Sequence, residues 1–154
     1  VYPVHPNPNV NDVVTGLLGD LPRVKLIAPV GYRDMVALLK RCTLVITDSG
    51  GLQEEAPALS KPVLVVREVT ERPEAVAAGV VKVVGTDTAS IVSEATRLLR
   101  DPAYFSQMSR GDSPYGDGQA SGRIVACAQA ALFPSAAGLS ATADWDLSQS
   151  RPGA

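Results

Sequence analysis

An α/β fold with a mostly parallel sheet is what this sequence predicts, on three observations. Short β-rich runs recur at near-regular spacing: Val24-Lys25-Leu26-Ile27-Ala28, Leu44-Val45-Ile46-Thr47, Val63-Leu64-Val65-Val66 and Val80-Val81-Lys82-Val83-Val84. Helical patterns lie between them, and strands alternating with helices in this way make βαβ units. The strand runs are also almost continuously apolar, as expected of strands covered on both faces.

Taken in order, Val1-Tyr2-Pro3-Val4 reads as a strand already under way. Three prolines then surround His5 in Pro3-Val4-His5-Pro6-Asn7-Pro8-Asn9, which predicts an extended loop at a strand end. Tyr32, Met35, Val36 and Leu39 follow helical spacing between the first two β runs. After Leu44–Thr47 comes Asp48-Ser49-Gly50-Gly51-Leu52-Gln53-Glu54-Glu55-Ala56-Pro57, read as a tight turn and then a helix. Its inward stripe is expected to be Leu52, Ala56 and Leu59, with Glu55 beside it and Glu54 turned to solvent. Pro57 deletes a helical hydrogen bond, so this helix should be short or kinked and end near Ser60-Lys61-Pro62. Pro73 is placed to start another helix.

Residues Thr88 to Arg100 form the clearest helix, with Ile91, Val92, Ala95, Leu98 and Leu99 on one face, Asp87 or Thr88 as cap, and Asp101-Pro102 as stop. Pro102 to Arg110 reads as a further short helix, Gly111 to Gly118 as a turn-rich connection and Gln119 to Leu132 as an alanine-rich helix. From Phe133 onward the chain is rich in Ser, Ala, Gly and Pro with a single Trp145, the composition of a disordered tail. Residues 1–132 are therefore expected to be one domain and 133–154 a tail.

At 154 residues, 45% of them hydrophobic, the chain is long enough for one real core. A formal net charge of −2 offers no basic surplus for nucleic acid, and no run approaches the apolar length that spans a membrane. The N-terminus has neither the basic region nor the apolar stretch of a signal peptide. Cys42 and Cys127 are far apart and lack metal-ligand spacing; a buried thiol is the reading for Cys42, and a cytoplasmic location fits. Because the chain does not open on Met, the expectation is a piece of something longer.

The chemistry concentrates at Ser49-Gly50-Gly51. A strand, a glycine turn and a helix N-terminus together aim backbone N–H groups and the positive end of a helix dipole at one point, where a phosphate can sit. Ser49 suits the N-cap, and paired glycines admit a ligand close to the main chain. Glu55 is placed to accept hydrogen bonds from ribose hydroxyls, although an ordinary structural carboxylate reads equally well. Ligands of open parallel sheets bind beyond the carboxyl ends of the strands. The loop Arg67-Glu68-Val69-Thr70-Glu71-Arg72-Pro73 should therefore lie beside the glycine turn. Arg72 could clamp a diphosphate or pair with Glu55 or Glu71. The glycines of Tyr115-Gly116-Asp117-Gly118 fit a linking turn better than a second phosphate site.

Four blocks in order carry a resemblance: Tyr2-Pro3-Val4-His5-Pro6-Asn7-Pro8-Asn9-Val10, Thr47 to Pro57, Thr70-Glu71-Arg72-Pro73-Glu74-Ala75 and Pro114-Tyr115-Gly116-Asp117-Gly118-Gln119-Ala120. Over roughly Tyr2 to Leu132 the chain closely resembles the C-terminal domain of the bacterial non-hydrolysing UDP-N-acetylglucosamine 2-epimerases. The resemblance implies half of a GT-B-type fold, in which two Rossmann-like domains face a cleft, usually in a homodimer. It implies interconversion of UDP-N-acetylglucosamine and UDP-N-acetylmannosamine for envelope polysaccharides, by elimination and re-addition of UDP. No metal or redox cofactor is implied.

Carried onto this chain, Ser49, Gly50 and Gly51 would bind the diphosphate, Glu55 the ribose hydroxyls, and Arg72 the UDP from its own loop. Met35 would line the uracil pocket, where some members carry Phe. His5 would match a histidine near the inter-domain cleft, which in some members contacts an allosteric UDP-sugar. No secure catalytic residue lies in this half. The N-terminal half, with its proton-transfer carboxylates and its His-Arg-Arg-Glu-Asn segment, is missing, and Ser109-Arg110-Gly111-Asp112-Ser113 is off pattern. The isolated chain is therefore expected not to epimerise. Two other readings stand beside this one: the donor domain of a UDP-sugar glycosyltransferase, against which Gln53 to Pro57 and Glu71 to Ala75 argue, and a non-catalytic nucleotide-sugar-binding fragment.

Overall fold

A computed structural model describes residues 1–111 and 113–132. The chain divides by backbone contacts into a unit Val1–Asp112 and a second beginning at Ser113. The expected tail, with Trp145, lies outside the described residues.

The first unit opens with β1 (Tyr2–Pro3) and α1 (Pro8–Leu18), followed by β2 (Leu26–Ile27) and α2 (Tyr32–Arg41). Strands β1 and β2 pair in parallel, Tyr2 opposite Leu26. Helix α1 corrects the expected extended loop. The chain is extended only as far as Asn7, whose side chain accepts the Asn9 N–H at 3.0 Å. Pro8 then occupies the first turn, where its fixed φ suits the helix and its missing N–H costs nothing. Val10, Val14 and Leu18 are half-buried along one stripe.

The alternation continues as β3 (Val45–Thr47), α3 (Gly50–Ala58), β4 (Val63–Val65), α4 (Pro73–Ala77) and β5 (Val81–Val83). These strands form a parallel sheet in the order β3-β4-β5, with Val45, Val63 and Val81 in register. The central strand β4 is buried along its whole length, as its unbroken apolar sequence predicts. Strand alternation sorts its side chains between two cores. Val63 and Val65 pack with Val45, Val81, Ala56, Ala75 and Leu39. Leu64 packs on the other face with Leu98 and Met108.

That second face is covered by α5 (Thr88–Arg100) and α6 (Pro102–Met108). Helix α5 has the predicted bounds and the predicted cap: the Asp87 carboxylate accepts the Ser90 N–H at 2.8 Å. Its inward face is narrower than expected. Leu98 is buried and Ile91 and Ala95 half-buried, but Val92 and Leu99 are 58% and 64% exposed. Tyr104 and Phe105 of α6 fill the flank of this core instead. Arg110, in the off-pattern segment, donates to the carbonyls of Gln107 and Ala78.

In the second unit, the described residues run from a turn at Pro114-Tyr115 into α7 (Ala120–Leu132). Asp117 prepares that helix, accepting the Gln119 N–H at 3.0 Å and holding both terminal nitrogens of Arg123 at 2.8 and 2.7 Å. The local role is thus a helix lead-in.

Candidate nucleotide-binding site

Strand β3 ends at Thr47, which is buried, and its hydroxyl accepts the Ser49 N–H at 3.0 Å. This small turn directs the chain out of the sheet and into α3. Ser49 takes the expected N-cap position in extended geometry, yet its side chain makes no capping hydrogen bond. The first-turn N–H groups of α3 therefore lack the hydroxyl partner that a serine at this position usually supplies.

Space constrains Gly50 more than Gly51. Neither has a positive φ, so no left-handed conformation requires them. A Cβ on Gly50 would lie 3.1 Å from Glu71 Oε1 and 3.9 Å from Arg72 Nη2. A Cβ on Gly51 would lie 3.9 Å from both Glu55 Oε1 and Ser49 Oγ. The serine hydroxyl, the Glu55 and Glu71 carboxylates and the Arg72 guanidinium thus ring the two glycines. Among the described residues, half-buried Glu55 has no hydrogen-bond or ion-pair partner.

The loop after β4 lies against α3, as the strand-end argument predicts, but through different side chains. Arg72 Nε pairs with Glu54, and its charge also acts on the neighbouring Glu71 carboxylate. Glu54 was expected in solvent; it is half-buried because the loop folds over that side of the helix and supplies a guanidinium. Arg72 Nη1 also donates to the Glu71 carbonyl at 3.2 Å. The Glu71 carboxylate is held below the usual range by its own backbone N–H and then by Arg67, 2.5 Å away. It remains an anion beside the glycine turn.

Gln53 escaped the sequence reading. It is fully buried and joins the two loops: Nε2 donates to the Ser49 carbonyl at 3.3 Å, and Oε1 accepts the Thr70 hydroxyl. Its place three residues before Ala56, on the inner side of α3, was the available signal.

Met35 and His5 are not among the atoms nearest the two glycines. Met35 is half-buried and packs against the Val63–Val65 core from α2. His5 is exposed beyond β1, where Nδ1 accepts the Asn7 N–H at 3.2 Å, and it makes no hydrogen bond to the glycine turn. Cys42 is half-buried, its thiol donating to the Leu39 carbonyl at 3.2 Å, and burial pushes its pKa up. Among the described residues no group of three or more His, Cys, Asp or Glu side chains could hold a metal ion, and no helix is long and apolar enough to cross a membrane.

Comparison with known proteins follows the same residues. The family model for UDP-N-acetylglucosamine 2-epimerase matches residues 1–129. The UDP-N-acetylglucosamine 2-epimerase of Escherichia coli K12 is 57% identical over 125 residues, covering 81% of this chain and 33% of the relative. A Staphylococcus aureus structure described as a MnaA–UDP co-structure superposes with a TM-score of 0.80 at 46% identity, over 85% of this chain and 36% of the other. The UDP-GlcNAc 2-epimerase of Neisseria meningitidis bound to UDP-GlcNAc gives a TM-score of 0.78 at 48% identity, over 82% and 34% of the two chains. The chain thus spans about a third of the length of the curated relatives it matches. With its parallel α/β core, its glycine turn and this match across residues 1–129, the chain belongs to the UDP-N-acetylglucosamine 2-epimerase family.

Proposed function

We propose that this chain is the UDP-binding half of a UDP-N-acetylglucosamine 2-epimerase, acting through residues 1–132 with a partner N-terminal domain in a cytoplasmic, homodimeric enzyme. The observation that carries the reading is the ring around Gly50 and Gly51: an N-cap serine whose side chain makes no cap, the Glu55 carboxylate without a protein partner among the described residues, and the Arg72 guanidinium at one strand end. These groups suit a nucleoside diphosphate once the exposed Glu71 carboxylate, the one anion of the ring that opposes a phosphate, turns aside. Helix N–H groups and Arg72 suit the phosphates. Glu55 suits a ribose diol, which donates two hydrogen bonds to a carboxylate.

The same geometry suits the reaction. When UDP leaves the sugar, negative charge grows on the departing phosphate. Donors fixed before the step stabilise that charge without reorganising. Ser49, Gly50, Gly51 and Arg72 hold the leaving group, and it stays bound for re-addition after C2 is reprotonated on the other face. The proton-transfer acids belong to the partner domain, so the isolated chain binds UDP without turnover. Met35 and His5 are assigned to the uracil pocket and the cleft. No metal or redox cofactor enters this reading.

The test is reconstitution. Mixing the chain with a separately folded epimerase N-terminal domain should convert UDP-N-acetylglucosamine to UDP-N-acetylmannosamine, with neither part active alone. No turnover with both parts folded and UDP bound contradicts the half-enzyme assignment.

A further inference from the structure

A hydrogen-bond chain centred on a buried amide runs from the glycine turn to Arg72. The Gln53 side chain is wholly buried, and its Nε2 donates to the Ser49 carbonyl at 3.3 Å. Its Oε1 accepts the Thr70 hydroxyl, and Thr70 Oγ1 in turn accepts the Arg72 N–H at 3.1 Å. The polarity is fixed by chemistry at both ends. A carbonyl only accepts, so the amide nitrogen must face Ser49. A backbone N–H only donates, so Thr70 must spend its single proton on Gln53. Glutamine and a hydroxyl residue satisfy this order at both positions.

We propose that Gln53 and Thr70 are positioning residues that set the separation between the Ser49–Gly51 turn and Arg72, and so tune the site to a diphosphate. The proposal rests on the UDP-binding reading. Arg72 has a second tie to α3 through Glu54, but that pair is more than a third exposed on the glutamate side and is easily screened. The Gln53–Thr70 link is anchored on the wholly buried Gln53 amide, and a polar link held at a buried end keeps its neighbours to one geometry. A ribose held by Glu55 would not sense the separation; a diphosphate bridging the turn and Arg72 would.

NMR-monitored titration of the full chain with UDP and with uridine separates these roles. Thr70→Val removes the hydroxyl at nearly constant shape, Gln53→Met replaces the buried amide by an apolar chain of similar length, and Thr70→Ser restores the hydroxyl. The expected result is that Thr70→Val and Gln53→Met each weaken UDP about tenfold, the scale of one buried hydrogen bond. Uridine affinity stays unchanged and Thr70→Ser behaves as wild type. Amide spectra report folding, and either variant alone decides the matter. Equal losses for UDP and uridine, or no loss for either, overturn the positioning role while leaving UDP binding intact. A wild-type chain that ignores UDP removes the functional reading and this proposal together.

Discussion

Two helix N-termini, both at the carboxyl side of parallel strands, are finished in opposite ways. Helix α5 begins on Asp87, whose carboxylate accepts the Ser90 N–H at 2.8 Å. Helix α3 begins on Ser49, another good capping residue, but there the side chain makes no cap and two glycines follow. One terminus meets the hydrogen-bonding needs of its own backbone, and the other keeps its face clear. The difference supports the proposal that the glycine turn receives a ligand. Its surroundings say the same: the Ser49 hydroxyl, Arg72 and two carboxylates converge where a side chain at Gly50 or Gly51 would otherwise stand.

Substitutions can break or sharpen this contrast, beginning with the largest effect. Leu64 supports α5 from beneath the sheet and is fully buried. Leu64→Ala should cost about 3 kcal/mol of stability in a denaturant melt, by lost burial and the cavity left behind. Next, Gly51→Ala should separate stability from binding. The new Cβ meets only ordinary contacts at 3.9 Å. Alanine in a helix is favoured over glycine by about 0.5–1 kcal/mol, so the variant should melt slightly higher while UDP affinity drops at least about tenfold. Normal UDP affinity in that variant would mean the glycines are not there for a ligand.

Smaller effects should distinguish the two caps. Asp87→Ala should lower the melting temperature by a few degrees and leave UDP binding alone, whereas Ser49→Ala should weaken UDP and leave melting alone. The Asp87 difference has a pH signature. The Ser90 backbone N–H holds this carboxyl below the usual range. A lowered folded pKa means the stabilisation is present above the unfolded value and lost as pH falls through the folded one. The gap between wild type and Asp87→Ala should therefore narrow in acid below the ordinary aspartate range. No such narrowing belongs to Ser49→Ala.

The same contrast explains what could be read from the sequence. Helix α5 has regular spacing, an acidic cap and a proline stop, and its bounds follow directly from those residues. The β runs and the glycine turn were equally plain, because local chemistry alone determines them. What escaped depends on side chains from different elements meeting. Glu54 and Glu55 are adjacent and chemically alike; only the path of the 67–72 loop decides that the first takes Arg72 and the second stays open. Gln53 looks like a surface residue until Thr70 and the Ser49 carbonyl satisfy its buried amide. Helix α1 was hidden by prolines that read as extended chain, although Asn7-Pro8 is also a sound helix start.

The central claim, that the open terminus of α3 is a UDP site, is tested most directly by calorimetric titration of the chain with UDP, beside its Glu55→Ala variant. Saturable heat at one site is expected for the wild type, and no measurable heat for Glu55→Ala at an unchanged melting temperature. Equal affinity in the two proteins, or a folded wild type that gives no heat, would contradict it.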